Sequence, residues 1–146
     1  MPVGREAEAR AAAERHQHLL TLDARIGSGV FNGWRWWRGG SRVVWLPPDG
    51  EIIYKFEVAY HGSNGLEAEN MERWRLQGHP WAPETHLFEI DGAEVLAMPY
   101  FTERIESSAE IPEDARRLVP DQNIENFRRR YDGQVMAIDA GDDAPL

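Results

Sequence analysis

Short apolar runs occur in pairs in three parts of the chain, and residues typical of a tight turn separate the two runs of each pair. In the first part, the run Arg-Val-Val-Trp-Leu at residues 42–46 is followed by Pro-Pro-Asp-Gly at residues 47–50 and by a second apolar run at residues 51–56. In the other two parts the turns are Asp91-Gly92 and Asp132-Gly133, and an Asp-Gly pair between apolar runs is a strong hairpin signal. The pattern therefore predicts three antiparallel hairpins, at residues 42–56, 85–100 and 127–138.

Two segments show helical spacing instead. Residues 6–20 are rich in Ala and contain neither Gly nor Pro, which favours a helix. Residues 64–77 carry an apolar stripe of Leu66, Met71 and Trp74 and are followed by a glycine, which is suited to end a helix.

Shorter elements fill the remaining chain. Residues 27–40 are rich in Gly and Trp and predict short strands joined by tight turns. Residues 107–118 predict a short capped helix with Pro112 near its start. Helices interspersed with antiparallel strands make the predicted fold class α+β.

Composition narrows the possible functions. The 146 residues include 16 Lys and Arg against 25 Asp and Glu, for a formal charge of −9, and no cysteine. This length suits one domain with its own core, and the lack of Cys excludes disulfides and thiolate zinc sites. The acidic balance disfavours nucleic acid and anionic membranes as partners. Residues 1–15 lack the apolar core of a signal peptide, so the expected location is cytoplasmic.

One basic residue stands out from the others. Of the 16 basic residues, 15 are Arg, and Lys55 is the only lysine. A GC-rich genome would explain the arginines, and a single surface lysine could persist by chance. A compact ammonium on a thin stem nevertheless fits a narrow site that the broad guanidinium fork does not.

The C-terminal third carries the first part of a family resemblance. Asp121 and Asn126 have the spacing D-x-x-x-x-N, and a hairpin leads from Asn126 to Asp139-Ala140-Gly141. This series resembles the catalytic loop and the Asp-Phe-Gly element of the protein-kinase-like fold, with Ala in place of Phe.

The N-terminal half adds further similarity to that family. Tyr54-Lys55-Phe56 resembles the kinase strand that carries the phosphate-binding lysine, and Glu67 on the next predicted helix is similar to its glutamate partner. We prefer Glu67 to Glu69 because it shares a face with apolar residues at i+4 and i+7. The run from Val95 to Phe101 resembles the strand that enters the adenine-binding hinge.

The resemblance implies a role for each of these residues. Lys55, oriented by Glu67, would bind ATP phosphates, which backbone N–H groups of Gly39, Gly40 and Ser41 would cap. Asn126 and Asp139 would bind Mg²⁺ through hard oxygen atoms, Asp121 would be the catalytic base, and Met98 and Tyr100 would contact the nucleotide.

The implied architecture is a reduced kinase. It comprises a kinase-like N-lobe antiparallel sheet with one αC-like helix, and a much reduced C-terminal portion carrying the catalytic-loop-like segment and a hairpin. Only nineteen positions separate Phe101 from Asp121, too few for the large helices of a full C-terminal lobe. Residues 1–26 would form a helical extension, and residues 27–146 a single minimal kinase-like domain, whose small size suggests a phage or effector protein.

Two functions follow from the resemblance. The first is an ATP- and Mg²⁺-dependent phosphotransferase, acting on a protein substrate or on another acceptor. The second is a pseudokinase-like module that binds a nucleotide or a protein partner without turnover, which is favoured by Val119 standing two residues before Asp121, where the family usually has His or Tyr. Taken singly, the acidic residues also fit solvated helix faces, caps and turns.

Overall fold

The computed structural model describes residues 3–20, 28–38, 42–58, 62–120 and 123–139. The fold is α+β, with three α-helices and nine strands within these ranges. The helices are α1 (Glu6–Leu20), α2 (Ser63–Leu76) and α3 (Glu113–Leu118). The strands are β1 (Ser28–Phe31), β2 (Trp34–Arg38), β3 (Arg42–Leu46), β4 (Ile52–Glu57), β5 (His86–Ile90), β6 (Ala93–Pro99), β7 (Glu103–Arg104), β8 (Phe127–Arg129) and β9 (Val135–Ala137).

Six strands form one antiparallel sheet in the order β1-β2-β3-β4-β6-β5. Tight turns at Asn32-Gly33 and Asp91-Gly92 close two of its hairpins, with φ of 52° and 82° in the first and 50° and 83° in the second. Two successive positive φ angles give the turn a twist that matches antiparallel strands. The central strands β4 and β6 meet because the chain leaves β4 through α2 and returns through the β5–β6 hairpin.

Each face of this sheet is covered differently. On one face α1 lies against the sheet, and Ala9 and Ala12 are fully buried beside Trp34, Trp36 and Trp45. The other face packs against α2 and the C-terminal elements. The predicted boundary between an extension and a domain, at residues 26 and 27, lies outside the described residues.

The buried face of α2 differs from the predicted stripe of Leu66, Met71 and Trp74. Glu67, Met71 and Trp74 face the core, whereas Leu66 is 42% exposed. Each helical residue turns about 100° from the previous one, so a stripe centred on Glu67 leaves Leu66 at its edge. The inclusion of Leu66 in the core was therefore wrong, because a charged residue occupies the core position next to it.

The C-terminal part is small and mostly non-helical. Strands β7, β8 and β9 form a three-stranded sheet. The helix predicted at residues 107–118 is divided into a 3₁₀ turn at Ser108–Glu110 and helix α3. Ile111 is extended between them, with φ −69° and ψ 126°, because the residue before a proline is driven out of the helical region.

The described part of the chain contains no helix with the length and apolar character that crossing a bilayer requires.

Candidate functional site

The chain's only lysine lies inside the protein. Lys55 is 2% exposed and sits on β4, opposite Val44 on β3 and Leu96 on β6. Its Nζ donates a hydrogen bond to Oε1 of Glu67 at 2.9 Å. Glu67 is 1% exposed, whereas Glu69 points away from the core. Glu67 is thus the carboxylate that pairs with Lys55.

Lys55 also reaches the C-terminal hairpin. Its Nζ donates a second hydrogen bond to the backbone carbonyl of Ile138 at 2.9 Å. The next residue is Asp139, whose side chain keeps 29% of its surface exposed. Residues 55, 67 and 139, far apart in sequence, therefore meet in one place.

Arg42 completes this cluster and was missed by the sequence analysis. Its side chain is 3% exposed, and it shares a sheet face with Lys55 because the register aligns Val44 with Lys55. Its Nη1 donates to Oε1 of Glu67 at 2.6 Å and its Nη2 donates to Oδ1 of Asp139 at 3.1 Å. The available signal was an arginine two residues before Val44 in a strand of otherwise buried residues.

Asn64 holds the start of α2 against the cluster. Its side chain is fully buried, and its Oδ1 accepts a hydrogen bond from Arg42 Nη1 at 3.3 Å. Its backbone N–H donates to Oε2 of Glu57 at 2.8 Å. Asn64 lies on the same helix face as Glu67 and Met71. It has the hydrogen-bond partners that a buried polar residue requires.

Among the described residues of the cluster, positive and negative charges are equal in number. Two cations, Arg42 and Lys55, face two carboxylates, Glu67 and Asp139. Charges removed from water require such pairing, and the loss of one partner leaves an uncompensated charge in the interior. The cluster therefore fixes the relative positions of β3, β4, α2 and the end of the C-terminal hairpin.

The two predicted metal ligands are neighbours. The Ile138 N–H donates to the Asn126 carbonyl at 2.8 Å, continuing the register that pairs Phe127 with Ala137. Asn126 and Asp139 therefore lie at the same end of the β8–β9 hairpin. The partly exposed carboxylate of Asp139 fits Mg²⁺, which is commonly bound through one or two carboxylates together with substrate phosphates and water, and the amide of Asn126 would add a hard oxygen atom. Within the described ranges, His, Asp and Glu form no group of three suited to a metal ion.

The remaining predicted residues fall into two groups. Met98 is fully buried opposite Ile53, and Tyr100 is half-buried with its ring centroid 5.7 Å from that of Trp37. The second group lies outside the described residues and comprises Gly39, Gly40, Ser41 and Asp121.

A separate cavity of about 470 Å³ opens between α1 and the β5–β6 hairpin. His16 lines it, is 5% exposed and accepts a hydrogen bond at Nδ1 from Trp45 Nε1 at 3.3 Å. Burial lowers the pKa of His16 to about 4, so this imidazole is neutral at pH 7. Lys55 is not among the residues that line this cavity.

No protein-family model, curated protein or solved structure matches the chain. The candidate site is therefore interpreted from its own geometry and chemistry.

Proposed function

We propose that this protein binds a magnesium–nucleoside triphosphate in a kinase-like site and transfers the terminal phosphoryl group. The observation that carries the proposal is the position of Lys55. Its ammonium lies 2.9 Å from Glu67 Oε1 and 2.9 Å from the carbonyl that precedes Asp139. The cation proposed to bind phosphate therefore contacts the residue that precedes the carboxylate proposed to bind the metal.

The choice of residue types supports a polyphosphate ligand. A nucleoside triphosphate brings about four negative charges, which catalysis neutralises with cations and metal rather than with covalent chemistry. Lys55 is a point charge, held in place by Glu67. The acidic net charge of −9 does not oppose binding, because the local field at the site decides it.

The topology is also compatible with a kinase-like N-lobe. The lysine strand β4 lies inside an antiparallel sheet, between β3 and β6. Helix α2 follows it and presents Glu67 to its buried face. The chain then returns through the β5–β6 hairpin to Met98 and Tyr100, which the proposal assigns to the adenine side of the nucleotide.

The other proposed roles are distributed around Lys55. Asn126 and Asp139 would hold Mg²⁺, which would neutralise phosphate charge. The backbone of Gly39, Gly40 and Ser41 would cap the phosphates, and Asp121 would accept the proton of the attacking hydroxyl.

Calorimetric titration with Mg-ATP tests the binding step. We expect saturable binding to the natural protein and its loss in Lys55→Met. Since Lys55 is deeply buried, Asp139→Asn provides a second variant at a more exposed position, and we expect it to lose the magnesium-dependent part of the affinity. Glu69→Gln, an exposed change on the same helix, should bind normally. No binding to the natural protein would refute the proposal.

Transfer of radiolabel from γ-labelled ATP tests the chemical step. We expect incorporation into the protein itself or into a protein mixture, and its loss in Asp121→Ala with nucleotide binding retained. Label that persists in Asp121→Ala would remove Asp121 from the proposed mechanism.

The burial of the cluster favours a second candidate function. Lys55 and Glu67 are 2% and 1% exposed, and Arg42 already pairs with Asp139. A pseudokinase-like module would keep this cluster as part of its core and act by binding a nucleotide or a protein. Mg-ATP binding without phosphoryl transfer would select this candidate.

A further inference from the structure

Arg42 is the member of the cluster to which the proposed function gives no role. Its guanidinium spans two carboxylates, with Nη1 on Glu67 at 2.6 Å and Nη2 on Asp139 at 3.1 Å. Asp139 is the residue proposed to bind Mg²⁺. In this structure its negative charge already faces an arginine.

We propose that Arg42 exchanges partners when Mg²⁺ and a polyphosphate bind together. Asp139 turns to the metal, and Nη2 of Arg42 pairs with a phosphate oxygen while Nη1 stays on Glu67. Arg42 is thus a second phosphate-binding cation beside Lys55. This inference rests on the proposed function, since it assumes that the site takes a metal and a polyphosphate.

The anchoring of Arg42 makes such an exchange geometrically simple. Nη1 is held from two sides, by Glu67 at 2.6 Å and by Asn64 at 3.3 Å. These partners are 1% and 0% exposed, whereas the Asp139 side chain is 29% exposed. Nη1 is therefore held by two buried partners, whereas Nη2 bonds to the more exposed Asp139.

The chemistry of the guanidinium suits both partners. Its donors are arranged in a planar fork that fits carboxylates and phosphates equally. Arg42 also begins β3, directly after the Gly39–Ser41 segment proposed to cap the phosphates. Exchanging a carboxylate for a phosphate therefore preserves a charge-assisted hydrogen bond.

The exchange couples the two ligands. A metal ion alone must compete with Arg42 for Asp139, and a polyphosphate alone must compete with Asp139 for Arg42. Each ligand therefore releases the group that the other one needs, which is a positive and reciprocal coupling. Removing Arg42 should tighten the binding of the metal alone and weaken that of the polyphosphate alone, whereas loss of a scaffold residue would weaken both.

The test compares the natural protein with Arg42→Gln for each ligand separately. Binding of Mn²⁺ alone, as a spectroscopic substitute for Mg²⁺, is measured from the paramagnetic resonance signal of the free ion. Binding of ATP alone is measured by calorimetry in EDTA. We expect the affinity for Mn²⁺ to rise at least threefold and the affinity for ATP to fall at least tenfold in Arg42→Gln.

Two further variants complete the design. Arg42→Lys keeps the charge but cannot span two carboxylates, so its Mn²⁺ affinity should also rise while its ATP affinity falls less than in Arg42→Gln. If Arg42→Gln does not fold, the Mn²⁺ and ATP affinities of Arg42→Lys, compared with those of the natural protein, test the proposal. Arg128→Gln removes another buried arginine, which is 8% exposed and pairs with backbone carbonyls of β8 and the preceding turn. We expect it to change both affinities less than twofold.

Changes of the same sign for both ligands, or no change, would overturn the exchange and leave the proposed function standing. If the natural protein binds neither ion nor nucleotide, the proposed function fails and this inference fails with it.

Discussion

The side-chain amide of Asn64 donates a hydrogen bond to the backbone carbonyl of Lys55, at 2.8 Å. Asn64 lies in the first turn of α2, and Lys55 lies within β4. The same amide donates to the carbonyl of Glu94 on β6 at 3.0 Å. One fully buried side chain therefore positions the helix that carries Glu67 against the two central strands.

Asn64→Ala should destabilise the protein substantially. The substitution removes a hydrogen-bond donor from two backbone carbonyls and one of the acceptors of Arg42, and each buried polar group left unsatisfied costs about 1–3 kcal/mol. We expect the free energy of unfolding, measured by urea denaturation, to fall by about 2–4 kcal/mol. Asn70→Ala on the same helix removes only an exposed hydrogen bond to Arg73, and it should stay within about 0.5 kcal/mol of the natural protein. Equal effects of the two substitutions would contradict this account.

Lys55→Met should be costly because it breaks a buried ion pair. Glu67 would keep Arg42 as a counter-ion but lose Lys55. Loss of one partner from such a pair typically costs about 3–5 kcal/mol, and the remaining Arg42 places the expected value near the lower end, at about 3 kcal/mol. Urea denaturation at pH 7 measures this change, with Glu69→Gln as the exposed control. A loss below about 1 kcal/mol, the range typical of surface ion pairs, would show that Lys55 is not held in the core.

His16 should make the protein less stable in mild acid. Burial lowers the pKa of His16 to about 4, below its ordinary value of about 6.5. The unfolded chain therefore binds this proton first, so the contribution of neutral His16 is complete above pH 6.5 and is lost as the pH falls toward 4. In His16→Gln, which keeps a hydrogen-bond acceptor for Trp45 without a titrating ring, the free energy of unfolding should change less between pH 7 and pH 4.5. An identical pH profile for both proteins would exclude His16 as the source.

Tyr54 should make the protein less stable at high pH. Burial and a hydrogen bond to Glu8 raise the pKa of Tyr54 above its ordinary value of about 10. Its stabilising contribution is complete below about pH 10 and is lost as the pH rises toward the folded-state pKa. Tyr54→Phe should therefore show a smaller loss of stability between pH 9 and pH 11, measured by urea denaturation at each pH. Unfolding curves that respond to pH in the same way with and without the hydroxyl would refute this prediction.

Local structure was largely predictable from the chain. The helix expected at residues 6–20 is present as α1, and the hairpins closed by Asp91-Gly92 and Asp132-Gly133 are present as β5–β6 and β8–β9. These elements depend on short-range signals, namely helix propensity, apolar runs and turn residues. Two local details differ from the prediction although local rules account for them, namely the extended Ile111 before Pro112 and the exposed Leu66 at the edge of the α2 stripe.

The candidate site was predictable only in part. The sequence distinguishes Lys55 as the only lysine, and it distinguishes Glu67 because this residue shares a helix face with Met71. Arg42 is one of fifteen arginines, and its position at the start of an apolar strand is the one local feature that separates it from the others.

By itself the sequence determined the fold class, the hairpins and the face of α2 that carries Glu67, because these follow from interactions between residues close in the chain. Only the tertiary structure decided that Arg42 and Lys55 share Glu67 Oε1 and that Asp139 joins them. These contacts span up to 97 positions of sequence. Buried charges must find partners wherever the packed strands and helix bring them together, and that pairing depends on the whole fold.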